Sequence, residues 1–263
     1  MKFMEIVRAN QETWRTISIS LLGKMRGGKT NIATAIAKEY VKEGWEVRYA
    51  VAPPPEVAAQ VLRKPCRSSG LLAIFDDMSF LYSNIRDPSV NGFLNTYSQV
   101  RHYAGIEDVI VVFIFHYLKA IPPFMREATI RVLTGPISKS EAKMLYQERF
   151  FDWRPLKKYR KVIREYVYNH EFKRKMEKKR PALVTDSTVS TITQIPLVED
   201  YRLEKHLVYD VKNAATGKET YRILFLNKRA RIRDRGKYFD IYYRHNGKEI
   251  RVAKIAVANY INV

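Results

Sequence analysis

The sequence is poor in cysteine and has no long apolar run. Its one cysteine, Cys66, cannot form a disulfide within the chain, and it excludes a zinc site built from cysteines. The longest apolar run, VIVVFIF at 109–115, is far too short to cross a bilayer as a helix. Residues 1–23 carry charges and a tryptophan within their first 14 positions, which is not the pattern of a signal peptide. We predict no transmembrane segment and expect a reducing compartment, the cytoplasm.

Acidic residues are scarce relative to basic ones. The chain of 263 residues holds 47 Lys and Arg against 27 Asp and Glu, a formal net charge of +20. Such a surplus favours a polyanionic partner, for which nucleic acid is the first interpretation and an anionic membrane surface the second. Residues 1–150 hold 20 basic and 14 acidic residues, whereas 151–263 hold 27 and 13. Most of the surplus of basic residues therefore lies in the C-terminal part of the chain, residues 151–263.

Apolar residues are abundant, at 46%, which is enough for a real core. Five mostly apolar runs predict strands at 16–23, 45–52, 71–77, 108–116 and 128–135. Segments with helical spacing lie between and after them, at 29–44, 56–63, 90–105 and 138–150. Buried strands that alternate with helices are typical of a parallel sheet covered on both faces. We therefore predict a mainly parallel α/β domain over 1–150.

The rear of the chain has a different pattern. Residues 151–199 predict a basic helical segment at 153–180 and a linker at 185–193, which is rich in Ser and Thr. Residues 200–263 predict a small, basic, β-rich module, in which Asn246-Gly247 is a strong hairpin signal. Its aromatic residues fit cross-strand pairs better than platforms for stacked bases; examples are Tyr238, Phe239, Tyr242 and Tyr243.

A glycine-rich stretch follows the first predicted strand and opens the first predicted helix. Gly23, Gly28, Lys29 and Thr30 fit the pattern G-x-x-x-x-G-K-[ST], whose backbone N–H groups cradle phosphates. We predict an ATP site with Mg²⁺, in which Lys29 contacts the β- and γ-phosphates and Thr30 ligates the metal. The alternative is a basic turn that happens to contain glycine. The predicted nucleotide-binding residues are Gly23, Lys24, Met25, Arg26, Gly27, Gly28, Lys29, Thr30 and Asn31.

Polar residues also end two later strands. Asp76 follows five apolar residues, and we predict that it holds Mg²⁺, mostly through water. Asp77 beside it is predicted to polarise the attacking water. The alternative for both is a solvated strand end or a helix cap. His116 ends the strand at 108–116 and is predicted to sense the γ-phosphate, or else to be a structural histidine.

Three arginines, Arg101, Arg126 and Arg131, lie between or beyond these motifs. Each could be a surface residue or could contact phosphate. One of them could also act on the nucleotide of a neighbouring subunit, as an arginine finger.

The order of these motifs resembles the FtsK/HerA-type P-loop ATPases over about residues 16–150, in particular the small DNA-packaging ATPases of archaeal and other double-stranded DNA viruses. Arg101 matches the family's arginine in the helix before the last motif strand. His116 stands where the family usually has Gln, and Asp77 where it usually has Glu. The resemblance implies a homo-oligomeric ring that translocates double-stranded DNA by ATP hydrolysis, with Arg101 as the finger.

The resemblance also suggests a capsid or portal-like protein as a partner, and a place in the host cytoplasm or in association with the virion. Three other interpretations stay open. The first is a replication-type P-loop ATPase, either a helicase or an initiator-like loader. The second is a nucleotide-switched DNA-binding regulatory protein that hardly turns over. The third is a membrane-associated ATPase of phage assembly.

Overall fold

The structure is a computed structural model, and it describes residues 2–24, 27–78, 82, 84, 86–118, 121–173, 179–196, 207–212, 220–226, 230–234, 238–245 and 248–256. Side chains are described up to residue 166, except at 123, and over 180–195. Met25 and Arg26 lie outside the described residues, and so do the side chains of the β-rich module, whose aromatic pairing stays a prediction.

The first half of the chain alternates strands and helices. Its elements are α1 (Phe3–Trp14), β1 (Thr16–Leu22), α2 (Lys29–Lys42), β2 (Glu46–Val51), α3 (Pro55–Arg63), β3 (Leu71–Asp76), α4 (Pro88–Ser98), α5 (Val100–Ala104), β4 (Val109–Phe115), β5 (Ile130–Thr134) and α6 (Lys139–Gln147). All five predicted strands are present. The helix predicted at 90–105 is divided, because Gln99 leaves helical geometry at φ −111° and ψ 16°. A short 3₁₀ helix, Pro123–Glu127, precedes β5.

The central strands form a parallel sheet in the order β5-β1-β4-β3-β2. Successive residues of each strand point to opposite faces. In β4, Ile110, Val112 and Ile114 face a cluster that includes α1 and α2, while Val109, Val111 and Phe113 face one that includes α3, α4 and α6. All of β4 is buried, because helices cover both faces. The predicted α/β architecture is therefore confirmed.

The rear of the chain extends this sheet. It forms α7 (Trp153–Lys173), β6 (Lys179–Thr185), β7 (Ser190–Pro196), β8 (Leu207–Lys212) and β9 (Thr220–Leu226). Strands β6 and β7 continue the sheet antiparallel beyond β5, and β9 and β8 do so beyond β2, which gives nine strands in the order β7-β6-β5-β1-β4-β3-β2-β9-β8. The sheet therefore continues past the boundaries predicted at 150 and 199.

The linker predicted at 185–193 is wrong, since this segment forms the turn of a β-hairpin and the first residues of its second strand, β7. Asp186 makes the turn, as its side chain accepts hydrogen bonds from the backbone N–H groups of Thr188 and Val189, both at 2.7 Å. Thr193 and Ile195 of β7 are buried. Threonine is β-branched and favours strands, so a segment rich in Ser and Thr can alternate between solvent and core.

A second sheet contains the last three strands, β10 (Ala230–Asp234), β11 (Tyr238–His245) and β12 (Lys248–Ala256). Strands β11 and β12 are antiparallel, with His245 opposite Lys248, which confirms the hairpin predicted around Asn246-Gly247. Within the part of the chain that the structure describes, no helix is long and apolar enough to span a membrane.

Candidate nucleotide-binding site

The loop between β1 and α2, of which residues 23, 24, 27 and 28 are described, begins at the carboxyl edge of the parallel strands. Two of its glycines have backbone geometry that other residues rarely adopt. Gly23 has φ 146°, and a Cβ there would lie 2.3 Å from the carbonyl oxygen of Thr134 at the end of β5. Gly28 has φ 85° and is the N-cap of α2. The glycines thus let the loop pack on β5 and turn directly into the helix.

Lys29 is the first residue of α2, and its side chain is 2% exposed. Its Nζ donates hydrogen bonds to the carbonyl oxygens of Gly23, at 2.7 Å, and of Lys24, at 2.6 Å. Burial lowers the pKa of Lys29 to about 8, although the negative charges of Asp76 and Asp77 oppose that shift. The ammonium therefore bridges the loop from within and is held in a poorly hydrated place.

Asp76, the last residue of β3, gathers the polar groups of the site. Its Oδ2 accepts hydrogen bonds from Oγ1 of Thr30, at 3.0 Å, and from the hydroxyl of Tyr49. Its Oδ1 lies 3.2 Å from Nε2 of His116. Burial alone would raise the pKa of Asp76, but the hydrogen bonds from His116, Tyr49 and Thr30 outweigh it and hold the pKa below its ordinary value. The carboxylate is therefore kept ionised.

Thr30 and Asp76 together offer oxygen atoms of the kind that Mg²⁺ prefers. Their side-chain oxygens are 3.0 Å apart beside the start of α2. Among the described residues, no group of three His, Cys, Asp or Glu side chains could hold a metal on its own. The pair therefore suits a cation that takes its other ligands from water and from phosphate oxygens.

Asp77 follows β3 with φ 57° and is half-buried. Two backbone hydrogen bonds fix the strand end around it: the N–H of Ala52 donates to the carbonyl of Asp76 at 2.7 Å, and the N–H of Met78 donates to that of Ile114 at 3.0 Å. Aspartate tolerates this left-handed conformation better than most residues. The turn therefore holds Asp77 beside Asp76, where its charge acts on Lys29.

The other predicted residues of the loop have smaller roles in the structure. Lys24 forms an exposed ion pair with Glu141 at 3.1 Å. The N–H of Gly27 donates to the carbonyl of Lys24 at 3.1 Å and closes the loop. Asn31 is half-buried in the first turn of α2.

Arg101 lies far from this site within its own chain. It is exposed on α5, ahead of β4, whereas His116 follows β4. Because β4 spans seven residues, the two side chains stand at opposite ends of a strand roughly 20 Å long. Arg101 borders a cavity of about 510 Å³ at the amino edge of the sheet, together with Arg126 and Arg131. Arg126 pairs with Glu148, and Nη1 of Arg131 donates to the carbonyl of Arg126 at 2.6 Å.

Two residues at the site were not predicted from the sequence. Tyr49 has the pattern of a core residue in a buried strand, and no motif marks its hydroxyl. Arg180 falls in the predicted basic helical segment but lies on β6, where its side chain reaches Gly28. Arg180 reaches the glycine loop only because β6 pairs with β5.

No protein-family model matches the sequence, and no curated protein matches it. Among solved structures, the chain is similar to the genome packaging NTPase B204 from Sulfolobus turreted icosahedral virus 2 in complex with AMPPCP. That likeness has a TM-score of 0.45 and 11% identity, and covers 70% of this chain and 100% of that one. The DNA-packaging ATPase B204 from Sulfolobus turreted icosahedral virus gives a TM-score of 0.45 at 10% identity, over 69% and 98% of the two chains.

A DNA replication initiation factor gives a TM-score of 0.35 at 14% identity, over 64% of this chain and 60% of that one. Likenesses with TM-scores of this size do not carry a function over to this chain. A function for this chain therefore has to be inferred from the geometry of its site.

Proposed function

We propose that the chain is a magnesium-dependent P-loop ATPase. The observation that carries this proposal is the contact between Thr30 and Asp76 at 3.0 Å beside the buried ammonium of Lys29. Residues far apart in sequence thus meet where a glycine loop opens a helix, and a helix N-terminus favours phosphate. A basic turn without a ligand would not need to bury the charge of Lys29, because a buried charge is costly.

Each residue has a role that follows from its position. Lys29 would turn from the loop carbonyls to the β- and γ-phosphates, and Thr30 and Asp76 would hold Mg²⁺. The bound metal supplies positive charge that neutralises the phosphates and the leaving group. Asp77, held beside Asp76, would polarise the attacking water. His116 would sense the γ-phosphate through its contact with Asp76.

We further propose that ATP hydrolysis drives translocation of double-stranded DNA, for genome packaging or DNA transfer, in an FtsK/HerA-type ring. The charge of the chain supports a polyanionic partner. Its basic surface includes five exposed residues of α7, which are Arg154, Lys157, Lys158, Lys161 and Arg164. A capsid or portal-like protein would be a further partner of such a ring.

The ring is supported by the place of Arg101. Arg101 lies too far from the nucleotide site of its own chain to act there, so a finger role for it requires the nucleotide of a neighbouring subunit. A subunit that presents its amino edge to the next subunit's carboxyl edge would supply the finger in trans.

The decisive experiment measures ATP turnover of the purified protein with and without duplex DNA. We expect turnover that requires Mg²⁺ and rises with DNA. Lys29→Ala should lower it by about 10²- to 10³-fold, because the developing charge loses its nearest cation. Wild-type turnover in this variant would exclude the site. Tight ATP binding with no turnover on DNA would instead indicate a nucleotide-switched regulator, and strand displacement on a forked duplex would indicate a helicase.

A further inference from the structure

Arg180 brings a positive charge to the glycine loop from the β6–β7 hairpin. A Cβ placed on Gly28 would lie 3.0 Å from Nη1 of Arg180 and 3.7 Å from its Cδ and Cζ. Gly28 is the N-cap of α2, so the guanidinium lies beside the end of the helix that carries partial positive charge. Lys29 adds its ammonium to the same place. Like charges that converge in this way favour an anion that all of them can contact.

The surrounding fold holds Arg180 in this place. Strand β6 is antiparallel to β5, with Ala182 opposite Thr134, so the start of β6 lies at the carboxyl edge. The hydroxyl of Tyr159 on α7 donates to the carbonyl of Gly135 at 2.9 Å. A Cβ on Gly135 would lie only 3.2 Å from the Cα of Gly27. The loop, the end of β5 and α7 therefore pack together around the base of β6.

The order of the strands indicates which part of a bound nucleotide Arg180 would contact. Across the carboxyl edge lie β6, β5, β1, β4 and β3. Asp76 and His116 end β3 and β4, on one side of the loop, and Arg180 comes from β6 on the other. A reacting γ-phosphate belongs beside Asp76 and the metal. The α- and β-phosphates would then extend from there toward β5 and β6.

We propose that Arg180 is a nucleotide-binding residue, supplied by the same chain, that holds the α- and β-phosphates. The proposal rests on the ATPase function above. Arg180 would donate charge-assisted hydrogen bonds to phosphate oxygens. ATP and ADP share these phosphates, so loss of Arg180 should weaken both nucleotides alike, by about 10- to 100-fold. The contact would be equally strong before and during hydrolysis, so KM should rise while kcat changes little.

The experiment measures dissociation constants of fluorescent methylanthraniloyl ATP and ADP for the full chain, beside steady-state turnover. We would compare the wild type with Arg180→Gln, Arg180→Lys and the control Arg8→Gln, which removes an exposed arginine of α1. We expect the full loss in Arg180→Gln, a partial loss in Arg180→Lys, because lysine keeps the charge without the forked donors, and none in the control. If Arg180→Gln unfolds in thermal melting, the partial loss in Arg180→Lys decides.

The possible outcomes separate the role of Arg180 from the ATPase function on which it rests. If the wild type binds both nucleotides and the folded Arg180 variants bind them equally well, Arg180 has no such role and the ATPase site stands. Weakened ATP with unchanged ADP, or a lowered kcat at unchanged KM, would place Arg180 at the γ-phosphate and overturn the assignment. If the wild type binds neither nucleotide, or Lys29→Ala binds them as the wild type does, the site itself fails, and the role of Arg180 fails with it.

Discussion

The two edges of the parallel sheet differ in how deeply their charged side chains are buried. At the carboxyl edge, Lys29 is 2% and Asp76 6% exposed, and Asp76 contacts three side chains from distant parts of the chain. At the amino edge, Arg101 is exposed beside an open cavity. The buried side chains at the carboxyl edge are held in place by their contacts with one another. Arg101 is exposed, so it is accessible to an anion on a second molecule, as the proposed ring requires.

The largest effect is expected at the amino edge, where Arg101 can be tested for a role in a neighbouring subunit. Arg101→Ala should lower turnover by about 10³- to 10⁵-fold if it is a finger in trans. Lys29→Ala should be nearly inactive for a different reason, since it keeps Arg101 and loses the lysine that would contact the phosphates. Mixed in one ring, the two variants would create some interfaces with an intact loop and an intact finger. Turnover of the mixture should therefore partly return.

Subunit exchange is the control for that mixture, and it can be followed by energy transfer between labelled wild-type subunits. Exchange without any return of turnover would show that Arg101 does not act in trans. A protein that stays monomeric with ATP and duplex DNA would contradict the ring itself.

The same chemical change at the two edges should have unequal effects. Asp77→Asn removes the predicted water-polarising carboxylate and should slow hydrolysis by about 10²- to 10⁴-fold, while ATP still binds through Lys29. Asp108→Asn, at the amino edge, removes a carboxylate that pairs with Arg15 at 3.1 Å, and should leave turnover close to wild type. Single-turnover hydrolysis and ATP binding measured on both variants test this. Normal hydrolysis in Asp77→Asn would mean that another group polarises the water.

The sequence could predict the features that depend on a local pattern of residues. The strands of the parallel sheet are apolar because both faces are covered, so β4 is recognisable without any structure. The contact of Thr30 with Asp76 could also be expected, because parallel strands carry their carboxyl ends to one edge. Lys29 and Thr30 belong to a spacing whose geometry is fixed by the loop itself.

The sequence could not predict the features that depend on which distant strands pair with each other. The hydroxyl of Tyr49 is a site group only because β2 pairs with β3 beside Asp76. Arg180 is one basic residue among many until β6 pairs with β5. The segment at 185–193 has the composition of a linker, and only pairing between β6 and β7 shows its threonines to be strand residues. Such partners are set by tertiary packing, which outweighs local preference.

A charged surface that belongs to neither edge should govern DNA affinity. The exposed lysines of α7 include Lys157, Lys158 and Lys161. Each phosphate that one of them neutralises should contribute about 0.9 to the fall of log affinity with log salt. Changing all three to alanine should therefore lower this slope by up to about 2.7, which is three times 0.9. Binding to duplex DNA over a range of salt concentrations measures it.

The control for those lysines removes the same charge from other elements. Arg8, Lys42 and Arg86 are exposed on α1, on α2 and before α4. Changing these three to alanine should leave the salt slope close to that of the wild type. Equal slopes for the two triple variants would show that α7 makes no particular contact with DNA.

The smallest expected effect is a proton taken up at the carboxyl edge. Burial lowers the pKa of Lys29 to about 8, from 10.5 for an ordinary lysine. Below about pH 8, the buried charge destabilises the nucleotide-free protein, and this cost is relieved as the pH rises toward 10.5. Bound phosphates would raise the pKa again, because they favour the charged ammonium. Nucleotide binding at about pH 9 should therefore take up a fraction of a proton, and binding at about pH 7 should not.

Calorimetry of ADP binding in buffers of different ionisation heat measures that proton. The matched control is Lys29→Arg, because a guanidinium stays charged at both pH values. If this variant binds ADP, its uptake at about pH 9 should be smaller than that of the wild type by the share that Lys29 supplies. Equal uptake in the two proteins would mean that Lys29 is already charged when the nucleotide arrives, and that its burial in the loop does not govern the affinity of the site for phosphate.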